Sequence, residues 1–179
     1  MTARTVRSAF RSALALFSVF VLQVGILDGL RIYDRASEPL LVLAVAGGLV
    51  GGWWRGLQLG FAAGLLYDLV AGTPVGLAAF AYALVAAASG LLQGYMVRMW
   101  WLVPPFSALG LCLYVLAGEV VGQDHLFNDR FWLTLGVVEL WAVILAPLTL
   151  RLVRWAWGET VTALPALPPP RAMEAEAGR

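Results

Sequence analysis

Four carboxylates fall inside or at the ends of long apolar runs in this 179-residue chain: Asp28, Asp68, Glu119 and Glu139. An acid in hydrocarbon is costly, so each must face a bundle interior, a water-filled cavity or an interface, or be protonated. Asp28 and Glu119 lie near run ends, where boundary water solvates them. Asp68 precedes Gly72-Thr73-Pro74, a turn whose backbone amides need acceptors and in which Pro74 has no donor. It is expected to hold that turn or to pair with Arg31, Arg35 or Arg130. Glu139 is deeper, roughly 10 Å from Trp132 at the rise of an α-helix. A proton relay there would need a second ionisable group at similar depth, and none is identifiable. A polar pairing or a hydrogen-bonded, protonated acid is expected instead.

Other chemistry has little to stand on. His125 lies between Asp124 and Asp129, and one histidine with scattered carboxylates reads as a solvated loop, not a metal site. Cys112 is the single cysteine, so an intrachain disulfide or zinc cluster is excluded. The chain has no Ser, His and acid constellation, Gly-Lys-Ser phosphate cradle or HExxH helix, and no basic, aromatic stripe suited to nucleic acid. An enzyme, a cofactor and a bound metal are therefore not expected.

The elements that must position these acids belong to an all-α integral membrane protein. Hydrophobic residues make up 61% of the chain and charged ones 13%, with a mean hydropathy of +0.81. The apolar residues form uncharged runs, not amphipathic stripes, which suits lipid as the surrounding solvent. Six segments can be drawn: Ser12 to Leu30, Pro39 to Trp54, Gly56 to Ala71, Gly76 to Val97, Leu102 to Gly122 and Trp132 to Val153. The first follows Arg4, Arg7 and Arg11 like a signal peptide, but no small-residue cleavage motif closes it, and it reads as a retained helix. Trp53, Trp54 and Arg55 suit an interfacial turn between segments two and three. A single broken helix there would instead give five spans and an external C-terminus.

Arginine placement favours six spans with both termini cytoplasmic. That topology puts Arg4, Arg7, Arg11, Arg55, Arg98, Arg151 and Arg154 inside, and leaves Arg31, Arg35 and Arg130 outside among Asp34, Glu38, Asp124 and Asp129. Residues 1–157 then form one membrane domain. Residues 158–179, with Pro165, Pro168, Pro169 and Pro170, read as a disordered cytoplasmic tail.

Small residues supply the densest pattern. Gly47 and Gly51, Gly48 and Gly52, and Gly60 and Gly64 each place two glycines on one helix face. Lipid offers helices no hydrophobic drive to associate, so close backbone approach along such faces supplies the packing, within the chain or against a partner's transmembrane helix.

The stretch Gly60-Phe61-Ala62-Ala63-Gly64-Leu65-Leu66-Tyr67-Asp68-Leu69, followed by Pro74-Val75-Gly76-Leu77, resembles the rod shape-determining protein MreD family. That family carries a GFxxGLxxD segment and then a Pro-x-Gly turn leading into a long apolar helix. About the first 95 residues carry the likeness, while the second half is Trp-rich and departs from it. The resemblance implies a six-helix bundle like the substrate-binding subunits of energy-coupling-factor transporters. It also implies a non-enzymatic scaffold of cell elongation in the bacterial inner membrane. Such a scaffold binds MreC and supports peptidoglycan synthesis by RodA and a class B penicillin-binding protein. The matching positions are Gly60, Phe61, Gly64, Asp68, Pro74 and Gly76. The rival expectation is a small-molecule (vitamin-like) binding subunit of an energy-coupling-factor type transporter, motivated by acids near the outer side of a small bundle.

Overall fold

The computed structural model describes residues 3–27, 38–72, 74–93, 100–122 and 131–157. Asp28, Arg31, Arg35, Thr73, Arg98, His125 with its neighbours Asp124, Asp129 and Arg130, and the tail from 158 lie outside the described residues. Helix α1 (Ala3–Leu22) ends in a π-helical turn, Gln23–Leu27. Then come α2 (Pro39–Ala71), α3 (Leu77–Leu91), a 3-10 turn at Trp100–Leu102, α4 (Val103–Val120) and α5 (Phe131–Trp157). Among the described residues the regular structure is all helix, with no strand. Three helical stretches among these residues are, by length and composition, long and apolar enough to cross a membrane: Pro39–Ala71, Trp100–Val120 and Phe131–Trp157.

Helix α2 is doubled back on itself. Gly52 has φ 83 and ψ 174, a conformation essentially restricted to glycine. In an uninterrupted helix Gly47 and Leu59 would stand about 18 Å apart, yet a Cβ at Gly47 would collide with the Leu59 side chain and one at Gly56 with the Gly48 Cα. The hydroxyl of Tyr67 likewise reaches Glu38. The arms 39–51 and 53–71 are therefore antiparallel. Segments two and three are separate, as expected, but the break is at Gly52 and not at the aromatic pair. Trp53, Trp54 and Arg55 open the second arm and are exposed, because a reversal needs a residue without a Cβ more than it needs an interfacial one. The Val50 carbonyl at the reversal accepts from Gln93 Nε2 at 2.9 Å, which makes up for helical partnering lost at the bend.

The first arm is the centre of the molecule. Leu40 through Ala46 are almost wholly buried, which accounts for a segment that is apolar on every face. The second arm lies against α3 through Gly56, Gly60, Gly64 and Asp68, one residue per turn. A Cβ at Gly56 would meet the Ala86 carbonyl, one at Gly60 the Tyr82 carbonyl, and one at Gly64 the backbone of Ala78 and Ala79. The contacts climb one helix as they descend the other, so the pair is antiparallel and its backbones nearly touch. Gly90 completes the seam against Gly52 and Trp53. The close packing foreseen for Gly60 and Gly64 is thus spent inside the chain. The Gly47 and Gly51 face is covered by Leu59 and the Trp157 ring, and Gly48 by Ala86 and Ser89.

Successive arms start at opposite ends of the bundle. At one end Trp157 donates to Ser12 Oγ at 2.6 Å, and the guanidiniums of Arg55 and Arg11 lie over the Trp157 and Trp155 rings. The other end gathers Glu38, Tyr67, Asp68, the turn 74–76 and the end of α4. Helix α3 stops at Leu91, short of the expected Val97, because Leu92 and Gln93 turn back onto Ser89 and Gly90 carbonyls.

Candidate functional site

Helix α3 begins without a capping side chain, since its N-cap is Gly76 at φ 108. The second arm supplies what is missing. Asp68, only 1% exposed, accepts from the Gly76 amide at 2.8 Å, the Ala78 amide at 3.0 Å and the Ala79 amide at 3.3 Å. The Leu77 amide donates to the Pro74 carbonyl at 3.2 Å and Phe80 to the Gly76 carbonyl at 2.9 Å, so the whole first turn is satisfied. Three amide donors at the positive end of the helix give this buried side chain the hydrogen-bond partners it needs. From the sequence Asp68 is expected to hold the turn Gly72-Thr73-Pro74; the described amides it accepts from are those of Gly76, Ala78 and Ala79 at the start of α3, and Thr73 lies outside the described residues. Gly64 and Gly60, one and two turns back, let the arm approach closely enough for the reach. Pro74 is exposed, and Phe61 points away from this seam to the exterior.

Beside Asp68 lies an acid that sequence reasoning left in an outer loop. Glu38 is 6% exposed and accepts from Tyr82 Oη at 3.1 Å and, at the limit of hydrogen-bond length, from Tyr67 Oη at 3.5 Å. The Tyr67 ring packs on Tyr82 at 5.7 Å and edge-on to Tyr114 at 5.8 Å. The cluster joins both arms of α2 to α3 through hydrogen bonds and to α4 through a ring contact. Glu38 immediately precedes Pro39, which starts the helix that buries it. That adjacency, with Tyr67 and Tyr82 in later apolar runs, was the available signal. Gly56 was missed too, although its four-residue spacing to Gly60 is plain.

Glu139 has the polar pairing expected of it, with Ser107 of α4. Ser107 Oγ lies 3.1 Å from Glu139 Oε1 and 2.7 Å from the Pro104 carbonyl. One hydroxyl proton serves one acceptor at a time, so the glutamate shares this donor. Glu139 is half-buried on the flank of α5, while Ser107 is fully buried. Cys112 is free and half-buried. Among the described residues no group of His, Cys, Asp and Glu is placed to hold a metal ion.

A cavity of about 560 Å³ opens between the turn and the end of α4, lined by Pro74, Val75, Gly76, Leu77, Phe80, Ala117, Val120 and Val121. Its lining is apolar, and the carboxylates of Asp68 and Glu38 are turned to amides and hydroxyls instead. Charge is divided between the ends: exposed Arg11, Arg55, Arg151 and Arg154 lie toward one, and Glu38, Asp68 and Glu119 toward the other. No protein-family model, curated protein or solved structure matches the chain.

Proposed function

We propose that this chain is an MreD-like scaffold of the bacterial inner membrane, which binds an MreC-like single-span protein and supports wall synthesis by RodA and a class B penicillin-binding protein. The observation that carries the reading is the use made of the resembling segment. Gly60, Gly64 and Asp68 form one continuous seam with α3, closed by the Gly76 cap. A segment whose glycines admit a neighbouring backbone and whose acid locks the next helix builds a framework; it does not present reactive groups. The six-span bundle, with a fold like that of energy-coupling-factor substrate-binding subunits, belongs to the same proposal. It is supported by the reversal at Gly52 and by arms that alternate between ends. The arginine-bearing end then faces the cytoplasm together with both termini.

Copurification in mild detergent tests the function: tagged protein is expected to recover an MreC-like partner. Failure to do so under conditions that keep other elongation complexes intact would refute it. Topology is checked with Val75→Cys and Trp54→Cys in a Cys112→Ala background. An impermeant thiol reagent added outside spheroplasts is expected to label position 75 and spare position 54, and the reverse pattern would reject the orientation. The transporter-subunit reading is weaker, because the cavity at the acidic end offers a polar nutrient only apolar walls.

A further inference from the structure

Helix α5 carries a seam that, among the described residues, no other helix covers. Trp132 is 73% exposed and Val143 42% exposed; Gly136 is exposed and Glu139 half-buried between them. Their spacing of four, three and four residues places all of them along one side of the helix, as in a coiled-coil seam. A Cβ added at Gly136 would meet nothing within 4 Å, so another backbone has room to approach there. Glu139, one turn along and within hydrocarbon depth, holds one oxygen against the shared Ser107 hydroxyl. Among the described residues its Oε2 has no donor.

A carboxylate half open to lipid, beside a gap the width of a side chain, requires a complementary hydrogen-bond donor at the same depth. The geometry points to this side of α5 as the docking surface for a transmembrane helix of another protein. That helix is apolar along its length and carries one hydrogen-bond donor (hydroxyl, amide or guanidinium) near its middle. The carboxylate selects the donor, and Gly136 sets how near the helix comes. A second copy of this chain fits less well, because it would set Glu139 against Glu139, which pair only when one of the two is protonated, whereas a hydroxyl, amide or guanidinium donates to the carboxyl in either state. Identifying the docked helix with the single span of the MreC-like partner rests on the reading above.

The test uses the full chain in lipid vesicles with fluorescent poly-leucine helices of about 20 residues, bearing either one central Asn or leucine throughout, and reads association by energy transfer. The Asn helix is expected to associate about tenfold more tightly than the all-leucine helix. Gly136→Leu and Glu139→Leu abolish that preference, and Glu139→Gln, which keeps an acceptor, retains most of it. Gly25→Leu, also into open space, leaves it unchanged, and melting in detergent confirms that Gly136→Leu is folded. Equal association of the two helices would overturn the proposal, as would a preference that survives both leucine variants, or loss of the preference because copies of the chain pair through α5. The two readings separate cleanly. An MreC-like partner recovered equally by wild type and Gly136→Leu refutes this surface and leaves the scaffold standing. A bound Asn helix with no such partner keeps the surface and removes its assigned occupant.

Discussion

Replacing Asp68 with leucine removes the acceptor for three amides at the start of α3 while keeping the number and branching of the side-chain heavy atoms. The Ala78 and Ala79 bonds are buried, at 3.0 and 3.3 Å, and the Gly76 bond at 2.8 Å is partly buried. Each buried amide left unsatisfied costs about 1–3 kcal/mol, so the two together cost about 2–6 kcal/mol. Relief from burying a carboxylate returns part of this, and the net expectation is a loss of about 3 kcal/mol for Asp68→Leu. Asp68→Asn retains one acceptor oxygen in place. It turns its NH2 toward the amide that the other oxygen served and forfeits the charge-assisted strength of the bonds, and the expected loss is about 1–2 kcal/mol, below that of leucine. The assay is equilibrium unfolding in mixed micelles, with Glu119→Leu as an exposed-acid control, alongside complementation of cell shape. Asp68→Asn is expected to fold with reduced function and Asp68→Leu to lose both. An Asp68→Leu protein as stable as wild type would show that water or a neighbouring group satisfies these amides and that the inter-helix cap is not a stabilising element.

Gly64→Leu is expected to reduce accumulation of folded protein severely and Gly110→Leu only mildly. A Cβ at Gly64 strikes the Ala78 and Ala79 backbone, whereas at Gly110 it meets the movable end of Leu41; equal yields of monodisperse protein would contradict the assignment. Gln93→Leu strips the Val50 carbonyl of its side-chain donor and should destabilise the reversal by about 1–3 kcal/mol in micellar unfolding. Tyr82→Phe removes a donor from Glu38 at an expected cost of about 1–2 kcal/mol. In a double-mutant cycle with Glu38→Gln the two losses should add to more than the double variant shows, and strict additivity would mean the hydroxyl and carboxylate do not interact.

What the amino-acid sequence determined by itself is whatever has a short period or depends on composition. Uncharged apolar runs announce helices suited to lipid, and glycines four residues apart mark a face open to backbone approach. Trp53, Trp54 and Arg55 mark a break between segments two and three, which the structure puts at the adjoining Gly52. These are local signals, carried by residues within one or two helical turns of each other. Glu139 was legible for the same reason, since an acid within an apolar run demands a partner wherever the run ends up. The partner, Ser107, lies 32 residues away and had to await the fold. Tertiary structure alone decided the burial of Glu38, whose hydroxyl donors stand 29 and 44 residues along the chain. It also decided the use of Gln93 to close a reversal 43 residues earlier, and the reach of Asp68 to the amides at the head of α3. A hydrogen bond requires donor and acceptor about 3 Å apart, and no pattern of spacing specifies which distant side chains packing will bring to that distance.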